Sequence, residues 1–208
     1  MKFHFIEKFL KEGMLNKRQL LAKAFFDYSF SFLLLIAFAP LIFIIAISVY
    51  FILGIPPFFT QIRVGKKGRL FKIYKFRTLK SEREVMLFPP KSQSIFLNFL
   101  RTSKLDELPQ LLNIFRGQMS FVGPRPDIEG YADLLQGADR KLLLIKPGLT
   151  GPASLKYKNE DILLSKQKDP LKYNDTVIWP DKVQINLDYM ANYTFSGDIA
   201  ILIKSLIK

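Results

Sequence analysis

Asp106 and Glu107 are adjacent carboxylates at the head of an apolar-periodic run, in the stretch RTSKLDELPQLLNIFRGQMSFVGPRP from Arg101 to Pro126. Neighbouring carboxylates of this kind can supply a nucleophile, take up a proton or hold a hard cation through oxygen. Arg125 lies between Pro124 and Pro126, so the chain itself restricts where its guanidinium can point. The rest of the composition removes the usual competitors. Cysteine is absent, which leaves no disulfide, thiol nucleophile or cysteine metal site. The single histidine, His4, sits at the extreme N-terminus, so Ser-His-Asp triads and histidine-based zinc sites are excluded. Any catalysis must therefore rest on Asp, Glu, Lys, Arg, Tyr or an oxygen-bound ion such as Mg²⁺.

These residues need an element to carry them. Leu108, Leu111, Leu112 and Phe115 fall at i, i+3, i+4 and i+7, which predicts one buried helix face. Ser103 is placed to cap that helix, Pro109 is tolerated near its start, and Gly117 ends it. The helix dipole would keep Asp106 ionised. On a bland reading both carboxylates merely complement that dipole, for about 0.3–1 kcal/mol, and Arg125 is a surface charge. Met119 to Val122 then reads as a short strand leading into Gly123-Pro124-Arg125-Pro126.

The formal charge of +13, with a pI near 9.8, calls for an anionic partner. Nucleic acid, anionic lipid headgroups and phosphorylated small substrates all qualify. Residues 1–27 interleave Phe3, Phe5, Ile6 and Phe9 with Lys2, Lys8 and Lys11, a pattern suited to a membrane interface. From Tyr28 to Ile62 no residue is charged, and Phe30–Leu53 is long enough to cross a bilayer. Pro40 lies near its middle. Basic residues precede the run, and Arg63, Lys66, Lys67, Arg69, Lys72, Lys75, Arg77 and Lys80 follow it, so both flanks prefer the same side of a membrane. A kinked spanning helix would drag one flank across. A helix broken at Pro40 can dip in and return, because each half reaches only about 20 Å into a core ~30 Å thick. The re-entrant form is the favoured expectation.

Pro56-Pro57 close this element, dividing the chain into a membrane part (residues 1–57) and a second domain (residues 58–208). Phe58–Val64 and Leu70–Phe76 read as a β-hairpin about the turn Gly65-Lys66-Lys67-Gly68. Its aromatic and basic residues would suit single-stranded nucleic acid, or be a strand with a solvated lysine face. Residues 80–99 read as a loop with a helical piece, Lys146–Gly151 as turn-rich, and residues 156–185 carry no evident chemistry. Ser196 is expected to cap a last helix with Ile199, Leu202, Ile203 and Leu206 on one face.

The block Leu-Asp-Glu-Leu-Pro-Gln-Leu-x-Asn-x-x-x-Gly-x-Met-Ser-x-Val-Gly-Pro-Arg-Pro, residues 105–126, closely resembles that of the bacterial sugar transferases, the monotopic polyprenyl-phosphate phosphoglycosyl transferases. Lys72-x-Tyr74-Lys75-Phe76-Arg77-Thr78 resembles a second block of that family, with Leu79 in place of Met, and Pro147-Gly148-x-Thr150-Gly151 a third. The family's Ser-Pro break appears here as Ala39-Pro40, and its basic-x-x-x-Asp pair as Lys23 and Asp27. After the third block Pro152-Ala153-Ser154 replaces the family's Trp-Ala-Gln.

The resemblance implies a mostly helical α+β protein: a re-entrant membrane element, interfacial helices, and a small cytoplasmic catalytic domain with a short hairpin. It implies transfer of a sugar-1-phosphate from a UDP-sugar to polyprenyl phosphate with Mg²⁺, at the bacterial inner membrane, without nucleic acid. Asp106 would be the nucleophile, and with Glu107 would hold the metal. Arg125, Arg101 and Lys72 would bind phosphate, and Asp188 is a secondary candidate. A surface-glycan pathway, of the exopolysaccharide or lipopolysaccharide kind, would use the product. The alternatives are a membrane-tethered nucleic-acid-binding module and a non-catalytic glycan-assembly subunit.

Overall fold

The uncharged apolar run from Tyr28, with the basic stretch before it, forms one long helix, α1, Lys17–Leu53, which ends at Gly54. The computed structural model describes residues 17–79 and 94–207, so the stretch before Lys17 that reads as amphipathic, and residues 80–93 of the segment that reads as a loop, lie outside the described residues. The helix is long and apolar enough to cross a membrane. The expected interruption at Pro40 is not seen as an end of helix: the element runs through it. Proline removes one amide donor and crowds the carbonyl four residues back, a local loss that a 37-residue helix absorbs. Ile36 to Pro40 are all exposed, whereas both flanks of α1 pack on the remainder of the protein. Phe26, Leu34 and Leu35 join a core built on Ile73, Leu111, Ile114 and Met119. Leu41, Ile42, Ala46 and Leu53 join one built on Ile45, Val49, Phe76, Leu97 and Leu100.

The hairpin forms as its alternation requires: β1 (Phe58–Val64) pairs antiparallel with β2 (Leu70–Phe76), from Phe58 opposite Phe76 to Val64 opposite Leu70. Arg77 ties it to the end of α1, its guanidinium donating to the carbonyls of Leu53 and Gly54. Helix α2, Ile95–Thr102, buries Leu97 and Leu100 against the C-terminal half of α1 and leaves Ile95 and Phe99 exposed.

The expected continuous helix after Ser103 is instead a 3₁₀ turn, Leu105–Gln110, followed by a short α3, Leu111–Phe115. Pro109 has no N–H to return to the Leu105 carbonyl, so a regular α-helical ladder cannot run through it intact. Ser103 ends α2 rather than capping the 3₁₀ turn, its Oγ donating to the Phe99 carbonyl at 2.6 Å. The change of helical pitch also moves the buried face. Leu111, Asn113 and Ile114 point inward, while Phe115 turns out to stack on Phe32 of α1.

Strand β3 (Ser120–Val122) pairs in parallel with β4 (Gly148–Thr150), so the segment expected only to turn supplies a strand. The pairing is a backbone-on-backbone contact that tolerates no side chain: a Cβ on Gly148 would lie 2.1 Å from the Gly123 nitrogen, and one on Gly151 2.2 Å from the Gly123 oxygen. Helix α4, Trp179–Ala191, and the last helix α5, Phe195–Leu206, complete the packing. The cap of α5 is Thr194, whose Oγ1 accepts from the Gly197 amide at 3.0 Å, rather than Ser196. Its inward residues are Asp198, Ile201 and Leu202, leaving Ile203, Leu206 and Ile207 exposed.

Candidate active site

The 3₁₀ turn sets Asp106 and Glu107 side by side with little access to water, 9% and 7% exposed. Two cations converge on one oxygen of Glu107. Lys75 Nζ reaches Oε1 from β2 at 2.7 Å, and Arg125 NH2 reaches it from the Gly-Pro-Arg-Pro loop at 2.8 Å. Burial alone would raise the Glu107 pKa, but these two partners hold it well below the usual carboxylate range. Asp106 is the opposite case. Burial, with the Glu107 charge alongside, pushes it up to about 6, against a partial offset from Lys75, Lys104 and Arg101. The dipole expectation therefore understates the cost of desolvation, although a carboxyl of pKa near 6 is still mostly ionised at pH 7. Asp106 Oδ1 is buried and meets no hydrogen-bond donor among the described residues.

Three devices fix this geometry. Asn113, fully buried, donates through Nδ2 to the Lys72 carbonyl at 2.7 Å and to Gln118 Oε1 at 2.8 Å, and accepts from the Tyr74 amide at 3.1 Å. It thereby fastens β2, and Lys75 on it, to the carboxylate turn. The β3–β4 pairing holds Arg125 from the other side, with the Gly148 amide donating to the Pro124 carbonyl at 2.7 Å. Beyond it, the Val64 amide donates to the Asp127 carbonyl at 2.9 Å and Arg63 NH1 to the Pro126 carbonyl at 3.3 Å.

Of the residues singled out in the sequence, Asp106, Glu107 and Arg125 come together, and Arg101 lies within electrostatic reach of Asp106. Lys72 does not join them through its side chain, which is exposed; only its carbonyl meets the site, through Asn113. Asp188 is exposed on α4, where its Oδ1 accepts from Gln184 at 2.8 Å. Lys23 and Asp27 do not pair with one another. Lys23 Nζ turns to Asp198 at 2.5 Å and to the Val122 carbonyl, while Asp27 accepts from Ser120 Oγ and the Phe121 amide at 3.1 Å each.

Lys75, Asn113 and Asp127 are the residues the sequence did not single out. Strand alternation alone could not have chosen Lys75, since it shares a face with buried Ile73 while Lys72 shares one with buried Phe76. Asp127, pushed up to about 6 by burial against Lys182, Arg63 and Arg125, has no local signal at all.

A buried, unpartnered carboxylate oxygen beside cations on two separate elements can act as a nucleophile toward an anionic centre whose charge those cations offset. The family described as bacterial sugar transferase matches residues 18–208. The sugar transferase EpsL of Bacillus subtilis is 31% identical over 186 residues, covering 88% of this chain and 84% of that protein. The UDP-glucose:undecaprenyl-phosphate glucose-1-phosphate transferase of Klebsiella pneumoniae is 32% identical over 91% of this chain, but the match spans only 43% of that longer protein. The undecaprenyl-phosphate galactose phosphotransferase of Salmonella typhimurium is 28% identical over 94% of this chain and 42% of its own length. The chain therefore belongs to the bacterial sugar transferase family, the phosphoglycosyl transferases whose motifs it carries.

Proposed function

We propose that the protein transfers a sugar-1-phosphate from a UDP-sugar to a polyprenyl phosphate at the cytoplasmic face of a bacterial inner membrane. The observation that carries this reading is Asp106: buried, mostly ionised at neutral pH, with one oxygen unpartnered beside a Glu107 already neutralised by Lys75 and Arg125. The Asp106 carboxylate attacks the β-phosphorus of the donor, the bond to the α-phosphate oxygen breaks, and its electron pair leaves with UMP. Asp106 then holds the sugar as an acyl phosphate. An oxygen of the polyprenyl phosphate displaces it, giving a polyprenyl diphosphate sugar and free aspartate. Arg125 and Arg101 bind and orient the phosphates, and Lys75 keeps Glu107 ionised and in place.

No three His, Cys, Asp or Glu side chains gather among the described residues. Asp106 and Glu107 are nonetheless the oxygen donors a hard cation prefers, and Mg²⁺ commonly takes its other ligands from water and substrate phosphates. When bound there, Mg²⁺ would offset charge on the diphosphate oxygens.

The re-entrant topology is supported by the packing of both flanks of α1 on one body while Ile36–Pro40 stand clear, since a spanning helix would carry one flank across the bilayer. Such an anchor, with Ile95, Phe99, Leu206 and Ile207 exposed on flanking helices, would keep the site at headgroup height, where a lipid phosphate must stay. The test is UMP release from UDP-glucose and UDP-galactose with undecaprenyl phosphate and Mg²⁺. Wild type should release UMP and Asp106→Ala should not; equal background from both would refute the proposal. Entry of the product into an exopolysaccharide pathway is the matching biological expectation, because EpsL and the ExoY proteins are relatives.

A further inference from the structure

The carboxylate turn holds a second unsatisfied polar group that the reaction above does not use. Gln110 is the last residue of the same 3₁₀ turn and only 3% exposed. Its Nε2 has no hydrogen-bond acceptor among the described residues. In a 3₁₀ turn residues three apart eclipse, so Gln110 lies on the same face of the turn as Glu107, one turn further along. Buried donors are nearly always paired, since leaving one bare forfeits its hydration without return. Here a bare donor, Gln110 Nε2, and a bare acceptor, Asp106 Oδ1, share one turn and do not satisfy each other. A tetrahedral phosphate would satisfy both: its phosphorus takes the carboxylate oxygen, and its outer oxygens accept from the amide.

We propose that Gln110 is a catalytic residue whose side-chain amide donates to a non-bridging oxygen of the phosphoryl group as it passes to Asp106. The inference rests on the reaction proposed above. In that step the Asp106 oxygen–phosphorus bond forms and the bond to UMP breaks. Gln110 moves no proton; its donor meets the charge on the equatorial oxygens, which Arg125, held by Glu107, is placed to meet from the other side.

Gln110→Leu separates contact from packing, because leucine fills a similar volume without the bare donor. The full chain in detergent is assayed with UDP-glucose and UDP-galactose, undecaprenyl phosphate and Mg²⁺, beside a thermal unfolding curve. Loss of one such donor should lower kcat about 100-fold, move KM for the donor sugar less than about threefold, and leave Tm unchanged or higher. Turnover within threefold of wild type would overturn the assignment. So would a lower Tm with a parallel loss of activity, which would make Gln110 a packing residue. If wild type releases UMP and Asp106→Ala does not, either result counts against Gln110 alone. No UMP from the wild type would remove the reaction and this role together.

Discussion

At the residue scale, two neighbouring carboxylates are driven apart by what surrounds them. Glu107 faces Lys75 and Arg125 and stays ionised at any working pH, whereas Asp106 is desolvated beside that fixed charge and pushed up to about 6. In the proposed reaction Asp106 attacks only when deprotonated, so activity should fall on acidification with a limb near pH 6, reading the free enzyme in kcat/KM. Asp127 is also pushed up to about 6 but lies outside the carboxylate turn, so Asp127→Asn should leave that limb in place. Disappearance of the limb in that variant would assign it to the wrong group. For stability the signs oppose. A raised Asp106 binds its proton more tightly when folded, so its ionisation weakens the fold as pH rises through 6; the lowered Glu107 stabilises above its unfolded pKa and loses that contribution only in acid. Replacing Glu107 by Gln removes the carboxylate that Lys75 and Arg125 share. It should cost on the order of 3 kcal/mol in chemical denaturation, as breaking a largely buried pair does.

At the scale of elements, the site is assembled from three pieces of chain that share no local signal: β2, the 3₁₀ turn and the parallel β3–β4 pair. Asn113 joins the first two by hydrogen bonds to the backbone of Lys72 and Tyr74. Asn113→Ala would strand those groups and should destabilise the fold by about 1–3 kcal/mol. It should also lower kcat, because Lys75 is no longer held against Glu107; unchanged turnover in a correctly folded variant would show that β2 is held some other way. Gly148→Ala is the sharper test of the other junction. Its Cβ would meet the Gly123 nitrogen at 2.1 Å, backbone against backbone, so β3 and β4 must separate. Arg125 would then lose its direction, and the affinity for the UDP-sugar should drop at least tenfold when measured by competition with UDP.

At the scale of the whole molecule, the long helix is part of the core rather than an appendage. Phe26, Leu34 and Leu35 pack beside α3, which directly follows the carboxylate turn, and Ile45 and Val49 beside α2. Near its start, Lys23 closes a buried network with Asp198, which also accepts from Tyr189 at 2.5 Å. The long helix and the carboxylate turn are therefore one mechanical unit, which suits the proposed reaction, whose acceptor could not leave the membrane surface. Cysteines introduced at Lys17 and Lys66, which bracket α1, should both be labelled by an impermeant thiol reagent from the cytoplasmic side only. Labelling from opposite sides would establish a spanning helix.

What the sequence determined by itself was whatever depends on short range. Alternation placed both hairpin strands to the residue, the uncharged run announced the long helix, and the absence of cysteine and of all but one histidine confined the chemistry to carboxylates and cations. The rare words around Asp106 were enough to reach the family. The tertiary structure decided which lysine serves the site, because Lys75 rather than Lys72 faces the core and only the packed strand fixes that choice. It also decided that Lys23 answers Asp198, far away in sequence, instead of Asp27 one turn along the same helix. Ion pairing and desolvation act through space. Two nearly equivalent partners in the sequence become one in direct contact and one not only when remote segments close around them.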